Sequence, residues 1–215
     1  MLNRFDLVVF DIGGVLVKAV RSFEEAHERA GLPFPLPSGP EFEAKRAALP
    51  RRGTGAIDSE RYYMLFADAS QGVYTAADVR KISEASLIGE YPGIGSVFDA
   101  LKAVSVESAV FANTNDAHWA SLFARTPDEP NFPTLTHIRH RLASHILGVE
   151  KPDSRAYHHV ERATGHSADR ILFFDDRQEN VEAARAVGWT AELIDYTGDT
   201  TAQILANLRL HGVVG

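Results

Sequence analysis

Three acidic residues of this chain stand where short apolar runs end. Asp11 follows the run at residues 7–10, and the adjacent pair Asp175 and Asp176 follows the run at 171–174. A carboxylate at the end of a buried strand is unfavourable unless a cation or backbone donors meet it, and adjacent carboxylates repel each other. A hard divalent cation with oxygen ligands relieves both effects, so the pattern indicates a metal site. The alternative at each position is an ordinary helix cap or a solvated side chain.

Lys151 and two glycines are the other residues whose setting indicates chemistry. Lys151 precedes Pro152, which suits the first turn of a helix, so the lysine would be held near a helix start. Beside a phosphate and two carboxylates, its ammonium group would neutralise charge and position a ligand; elsewhere it would be a solvated surface lysine. Gly13 and Gly14, just after Asp11, would let the backbone turn tightly and approach a bound anion.

The apolar runs predict the strands of a parallel sheet, in which strands are buried on both faces. They lie at residues 7–10, 108–111, 171–174 and 191–194. Helical patterns alternate with them at 95–103, 153–164 and 180–187. This alternation predicts an α/β fold with right-handed crossovers. The carboxyl ends of parallel strands line one crevice, so Asp11, Asn113 and Asp175 can converge although they are far apart in the sequence.

Residues 18–91 have a different character, with helical patterns and no evident strand run. The patterns lie at 22–29, 41–49, 59–69 and 76–87, and prolines and glycines separate them. We interpret this section as an inserted helical domain, called the cap below. Residues 1–17 and 92–215 then form a Rossmann-like core, so the predicted fold class is an α/β parallel sheet with a helical cap.

Composition narrows the function classes. The chain has 215 residues, enough for a core plus a small second module, and its formal net charge of −7 argues against a nucleic-acid partner. It contains no cysteine, which excludes disulfides, thiolate metal sites and cysteine nucleophiles. No apolar run is long enough to span a membrane and no signal peptide is evident, so we expect a cytoplasmic protein with no membrane partner. The sequence leaves the oligomeric state open.

Together these segments resemble the haloacid dehalogenase-like superfamily. The motifs that carry the resemblance are Phe-Asp-Ile-Gly-Gly-Val-Leu at 10–16, Phe-Ala-Asn-Thr-Asn at 111–115, Lys-Pro-Asp at 151–153 and Phe-Asp-Asp-Arg-Gln-Glu-Asn at 174–180. Their order covers the chain almost from end to end, and the cap lies where these enzymes carry one. Within the superfamily, the chain is similar to sugar-phosphate phosphatases related to glucose-1-phosphate phosphatase and to the phosphatase domain of soluble epoxide hydrolase.

The resemblance implies a Mg²⁺-dependent phosphohydrolase that acts on a small phosphomonoester, with a sugar phosphate as one candidate. Asp11 would attack phosphorus and form an aspartyl-phosphate, which water then hydrolyses. Mg²⁺ would bind to Asp11, to the backbone carbonyl of Gly13 and to Asp175, with Asp176 bound directly or through water. The cation would screen the incoming phosphate from these carboxylates.

The resemblance also assigns the groups that would hold the phosphate. Lys151 and the amide of Asn113 would bind the phosphoryl oxygens. The superfamily usually has Ser or Thr at the position of Ala112, where its hydroxyl reaches the phosphate, and alanine lacks this donor. Thr114 is the nearby residue that could supply a hydroxyl in its place.

A second departure concerns proton transfer. Most phosphatases of the superfamily carry a second Asp two residues after the nucleophile as acid and base, whereas this chain has Gly13 there, as the sugar-phosphate branch also can. The leaving oxygen would then take its proton from water or from another group, and His118 is a candidate acid. General acid catalysis typically contributes about 10²–10⁴-fold to a rate.

The two departures keep two other functions open. One is a metal-independent 2-haloacid dehalogenase, in which Asp11 attacks carbon; Gly13 is compatible with it because halide needs no proton, but the Asp175–Asp176 pair argues against it. The other is a catalytically weak or inactive homologue that binds phosphate without turnover.

Overall fold

The computed structural model describes residues 4–33, 40–123 and 132–215. Its strands are β1 (Leu7–Phe10), β2 (Val17–Ala19), β3 (Leu87–Glu90), β4 (Glu107–Ala112), β5 (His140–Ala143), β6 (Ile171–Asp175) and β7 (Thr190–Leu193). Five of them form one sheet in the order β5-β4-β1-β6-β7, and every neighbouring pair in it is parallel. The predicted α/β parallel sheet is therefore confirmed.

The central strands are buried on both faces because alternate residues point to opposite sides of the sheet. Val8 and Phe174 belong to one apolar cluster, whereas Val9 and Phe173 belong to the cluster on the other side. All residues of β1 and β6 are buried, which explains why these strands are continuous apolar runs in the sequence.

Helices cover the sheet and build the cap. They are α1 (Phe23–Ala30), α2 (Pro40–Ala47), α3 (Ser59–Ala69), α4 (Ala76–Glu84), α5 (Gly95–Ala103), α6 (Asp116–Phe123), α7 (Ser144–Leu147), α8 (Ser154–Thr164), α9 (Gln178–Ala186) and α10 (Thr200–Leu210). The predicted helices of the core correspond to α5, α8 and α9. Among the described helices, none has the length and apolarity that a bilayer crossing requires.

The cap differs from its prediction at both ends. Helices α1 to α4 lie between β2 and β3, which pair antiparallel, so the prediction of no strand in residues 18–91 was wrong. The helix predicted to reach residue 87 ends at Glu84, and Leu87 opens β3. With three and four residues, β2 and β3 are too short for a recognisable alternation of apolar and polar side chains. They form because they pair with each other. The domain division at 18–91 stays a prediction.

The cap helices have an apolar centre of their own. It is separate from the two clusters that flank the sheet and consists of Ala26, Phe42, Tyr63, Phe66, Tyr74, Val79 and Ile82. His27 is buried at its edge, where Nε2 lies 2.9 Å from the hydroxyl of Tyr74. The cap therefore packs as a small bundle joined to the sheet by the β2–β3 ribbon.

The burial of β6 generates a stability prediction. Leu172→Ala removes a side chain that is 0% exposed and should lower the free energy of unfolding by about 2–5 kcal/mol. Leu210→Ala, at a side chain that is 78% exposed, is the matched control and should change it by less than about 0.5 kcal/mol. Urea denaturation followed by circular dichroism measures both; equal losses would contradict the placement of β6 at the centre.

Candidate active site

Asp11 lies at the carboxyl end of β1, and a tight turn follows it. The N–H of Asp11 donates to the carbonyl of Phe174 at 2.8 Å, which extends the β1–β6 pairing by one residue. Gly14 has a positive φ of 90°, and a side chain there would lie 2.3 Å from Oδ2 of Asp176 and 2.2 Å from the guanidinium of Arg21. Only glycine therefore lets the turn pass so close to these two charged groups.

Lys151 joins the two acids that the sequence analysis placed at different strand ends. Its ammonium group donates to Oδ1 of Asp11 at 2.7 Å, to Oδ2 of Asp175 at 2.7 Å and to the carbonyl of Phe111 at 2.7 Å. The side chain is 0% exposed. Asp11 and Asp175, which we expected to converge together with Asn113, thus meet at the ammonium group of Lys151.

Asn113 fixes Lys151 by two backbone hydrogen bonds. Its Nδ2 donates to the Lys151 carbonyl at 2.8 Å, and the Lys151 N–H donates to its Oδ1 at 2.9 Å. The Asn113 side chain thus holds the Lys151 backbone, and the binding of phosphoryl oxygens by Asn113 stays a prediction. The resemblance identified the residue, but an amide with both a donor and an acceptor matches a peptide group equally well.

A second asparagine fixes Asp175. Asn180 Nδ2 lies 3.0 and 3.1 Å from the two carboxylate oxygens, and the N–H of Arg177 donates to Oδ1 at 2.9 Å. Tyr157, fully buried, donates its hydroxyl to the carbonyl of Asn180 at 2.8 Å. The sequence analysis did not assign a role to Tyr157 or Asn180, although Asn180 belongs to the fourth motif.

Asp176 pairs with an arginine of the cap. Its Oδ2 accepts a hydrogen bond of 2.7 Å from Arg21, which follows β2. The Arg21 guanidinium also stacks on Tyr196, 3.7 Å from the ring centroid. Arg21 and Tyr196 carry no motif signal, and the sequence analysis missed both.

The charges of the site act on one another. Burial raises the pKa of Asp11 to about 7, against the attraction of Lys151 and with the repulsion of Asp175 and Asp176. Burial also raises the pKa of Asp176, and Arg21 opposes this shift. Burial acts to lower the pKa of Lys151, but the carboxylates of Asp11 and Asp175 outweigh it, so the pKa is raised.

The donor chemistry fits a divalent cation. Three carboxylates interact here with only two cationic side chains, which leaves a surplus negative charge, and carboxylate oxygens are preferred ligands of Mg²⁺. Lys151 stands between Asp11 and Asp175, while Asp176 pairs with Arg21. In residues 4–33, 40–123 and 132–215, accordingly, no three His, Asp or Glu side chains are arranged as a complete metal site.

The loop after β4 contacts the cap. The N–H of Thr114 donates to Oγ of Ser144 at 2.9 Å, and this hydroxyl lies 2.6 Å from the carbonyl of Gly53 in the cap. Asp116 accepts from the N–H of Ser59 at 3.0 Å, at the start of α3. Ala112 is buried in β4. The sequence analysis missed Ser144, Asp116 and Ser59 because no local pattern announces a contact between distant loops.

His118, the candidate acid, lies at the junction of core and cap. Its Nε2 donates to the carbonyl of Ser83 in α4 at 2.9 Å and lies 3.0 Å from the Ser83 hydroxyl, while its N–H donates to Asn115. Burial lowers the pKa of His118 despite the Ser83 carbonyl, which acts to raise it. The imidazole of His118 thus contacts the cap, and its role as an acid stays a prediction.

Comparison with known proteins gives consistent matches. A family model described as haloacid dehalogenase-like hydrolase matches residues 5–188. The phosphatase MT3486 of Mycobacterium tuberculosis (strain CDC 1551 / Oshkosh) is 40% identical over 73 residues, which are 34% of this chain and 34% of that protein. The chain thus spans about a third of the length of this relative. Phosphoglycolate phosphatase 1 of Pseudomonas aeruginosa is 26% identical over 205 residues, covering 88% of this chain and 69% of that enzyme.

A solved structure extends the similarity to three dimensions. The HAD family enzyme of Bacteroides thetaiotaomicron in complex with magnesium and inorganic phosphate superposes with a TM-score of 0.69 at 16% identity. The superposition covers 91% of this chain and 96% of that one. At this identity the likeness shows the shared fold.

The contacts of Lys151 generate a prediction on stability. Lys151→Met leaves the buried carboxylates of Asp11 and Asp175 without their shared cation and should lower the free energy of unfolding by about 3–5 kcal/mol in EDTA. Lys102→Met, at an exposed lysine of α5, is the control and should leave it nearly unchanged. Equal stabilities of the two variants in urea denaturation would contradict the bridging role.

The partly buried imidazole of His118 leads to a prediction on pH dependence. Because its folded pKa lies below the ordinary value of 6.5, the unfolded chain binds the proton first, and stability is lost as the pH falls below about 6.5. His118→Gln should reduce this loss, by up to about 1.4 kcal/mol per pH unit between pH 6 and 5. The exposed His137, changed to Gln, is the control. Thermal unfolding in metal-free buffers tests it; identical slopes for the wild type and His118→Gln would refute the assignment.

Proposed function

This chain belongs to the haloacid dehalogenase-like hydrolases, and we propose that it is a Mg²⁺-dependent phosphohydrolase that releases phosphate from a small phosphomonoester. The observation that carries the proposal is the buried cluster in which Lys151 bridges Asp11 and Asp175 at 2.7 Å each. Relatives named as phosphatases support phosphoryl chemistry over dehalogenation. The surplus carboxylate, Asp176, supports a divalent cation, which metal-independent dehalogenation does not need.

Asp11 is the proposed nucleophile. Lys151 holds its Oδ1, and among the described residues no hydrogen bond reaches Oδ2, so this second oxygen is available for attack. It forms a bond to phosphorus while the ester P–O bond breaks and the alcohol leaves. Water then attacks phosphorus, the bond to Asp11 breaks, and inorganic phosphate is released with the carboxylate regenerated.

The other residues set the charge balance of the reaction. Asp11, Asp175 and Asp176 would hold Mg²⁺ together with the carbonyl of Gly13, and the cation would supply charge neutralisation to the phosphoryl group. Lys151 keeps Asp11 oriented and its charge compensated. Thr114 stays a proposed phosphate ligand. Since Gly13 carries no acid and His118 donates to Ser83, we infer that water supplies the proton of the leaving alcohol.

The test is phosphate release from a panel of phosphomonoesters with Mg²⁺ or with EDTA. Asp11→Asn should lower kcat/KM by at least about 10³-fold, because it removes the attacking group. Asp99→Asn, at an exposed position of α5, is the matched control and should keep full activity. Turnover that survives Asp11→Asn or EDTA would disprove the mechanism. Binding of Mg²⁺ and phosphate without any turnover would favour the inactive homologue, and halide release from a 2-haloacid in EDTA the dehalogenase.

A further inference from the structure

The cap contains a cavity of about 550 Å³, a size typical of binding sites for small organic molecules. Its walls come from α1 to α4 and are largely apolar: they include Phe23, Phe42, Tyr62, Phe66, Val79 and Ile82. Several of these side chains belong to the apolar centre of the cap, so the cavity reaches into that centre, and exposed residues such as Arg21 and Ser22 line its open side.

Two lining residues connect the cavity to the catalytic loops. Arg21 lines it and donates to Asp176 at 2.7 Å. Ser83 lines it as well and accepts the hydrogen bond from His118, in α6 just beyond the loop that carries Asn113. The cavity therefore lies beside the carboxyl edge of the sheet, where the phosphoryl group would bind.

The serine hydroxyl groups of the cavity wall are already hydrogen-bonded within the chain. Oγ of Ser22 accepts from the N–H of Glu25 at 3.0 Å, and Oγ of Ser86 donates to the carbonyl of Ile82 at 3.0 Å. The remaining polar groups of the wall are mainly the arginines Arg21, Arg46 and Arg52, which donate hydrogen bonds but cannot accept them. The O–H groups of a polyhydroxylated ligand would therefore find few acceptors here, and each buried one left without an acceptor is costly.

Arg52 is a cationic group of the wall that is not paired with a catalytic carboxylate, whereas Arg21 pairs with Asp176. Its guanidinium stacks 4.4 Å from the Tyr62 ring centroid and donates to Oγ of Ser83 at 3.2 Å. A guanidinium has five N–H donors, so Arg52 can also serve one acceptor on a ligand. Its flat face and the aromatic walls favour a ring or a hydrocarbon with few oxygen atoms.

We propose that this cavity binds the organic group of the substrate, and that this group is a largely apolar aryl or branched hydrocarbon and not a sugar. The inference rests on the proposed phosphohydrolase function and extends it to the substrate class. The ester would place its phosphate at Asp11 and its organic group in the cap. Ala26, buried in the wall, is the position from which the cavity can be filled without touching the catalytic residues.

The experiment compares phosphate release from naphthyl phosphate, glucose 6-phosphate and acetyl phosphate in the full chain with Mg²⁺. We expect kcat/KM for naphthyl phosphate to exceed that for glucose 6-phosphate by about 10-fold or more, since several apolar carbons leave water. Ala26→Leu should abolish most of this advantage, about 10-fold, and leave acetyl phosphate within about 2-fold, because acetyl phosphate does not reach the cavity. Ala77→Leu, exposed on α4, is the matched control.

Further measurements keep the outcomes distinguishable. Circular dichroism shows whether Ala26→Leu folds; if it does not, Val79→Thr, of nearly equal size, should reduce the naphthyl preference in its place. Turnover of acetyl phosphate without a naphthyl preference would overturn the cavity assignment and leave the phosphohydrolase intact. If no ester is turned over, the affinity for a naphthyl phosphonate, measured by isothermal titration calorimetry, tests the cavity assignment instead. Binding that Ala26→Leu weakens about 10-fold supports the cavity, and binding no tighter than that of inorganic phosphate overturns it.

Discussion

The ammonium group of Lys151, held between the carboxylates of Asp11 and Asp175, is the interaction on which the site depends. All three side chains are nearly or fully buried, so each charge would be costly alone, and the mutual attraction compensates the loss of water. Lys151 and Asp11 are 140 residues apart, and only the parallel order of β4, β1 and β6 brings their loops together. The parallel sheet therefore aligns these strand ends and brings the charged side chains together.

Neutral amides surround this charged centre and hold it in place. The side chain of Asn113 donates to the carbonyl of Lys151 and accepts from its N–H, and Asn180 donates to the carboxylate of Asp175. Tyr157 in turn fixes the backbone of Asn180. These side chains are uncharged, so they do not compete with Lys151 for the two carboxylates. They provide hydrogen-bond partners for polar atoms that would otherwise be buried without one. Asn113, although it belongs to a catalytic motif, can therefore act on a ligand indirectly, by positioning Lys151.

The sequence predicted what depends on local pattern and on the geometry of parallel sheets. The runs at 7–10 and 171–174 are apolar throughout because both faces of the sheet are covered, and this made β1, β6 and the convergence of Asp11 with Asp175 predictable. Short β2 and β3 have no period of their own, since they are stable only as a pair. The hydrogen-bond partner of His118 could not be predicted from the sequence either, because a hydrogen bond to α4 depends on how the cap packs against the core.

Several polar contacts tie the cap to parts of the core that adjoin the site. These contacts join Arg21 to Asp176, Ser83 to His118, Ser59 to Asp116, Gly53 to Ser144, and Arg51 to Glu150. Asp176 follows β6 directly, Ser144 follows β5 directly, Asp116 and His118 lie in α6 after β4, and Glu150 precedes Lys151. Because the contacts are distributed over different cap elements, the cap cannot shift as a body without disturbing several of these loops. In the function that we propose, a group bound within the cap would thereby be placed beside the carboxyl edge of the sheet, and shape selection in the cap and charge chemistry in the core would act on one substrate molecule.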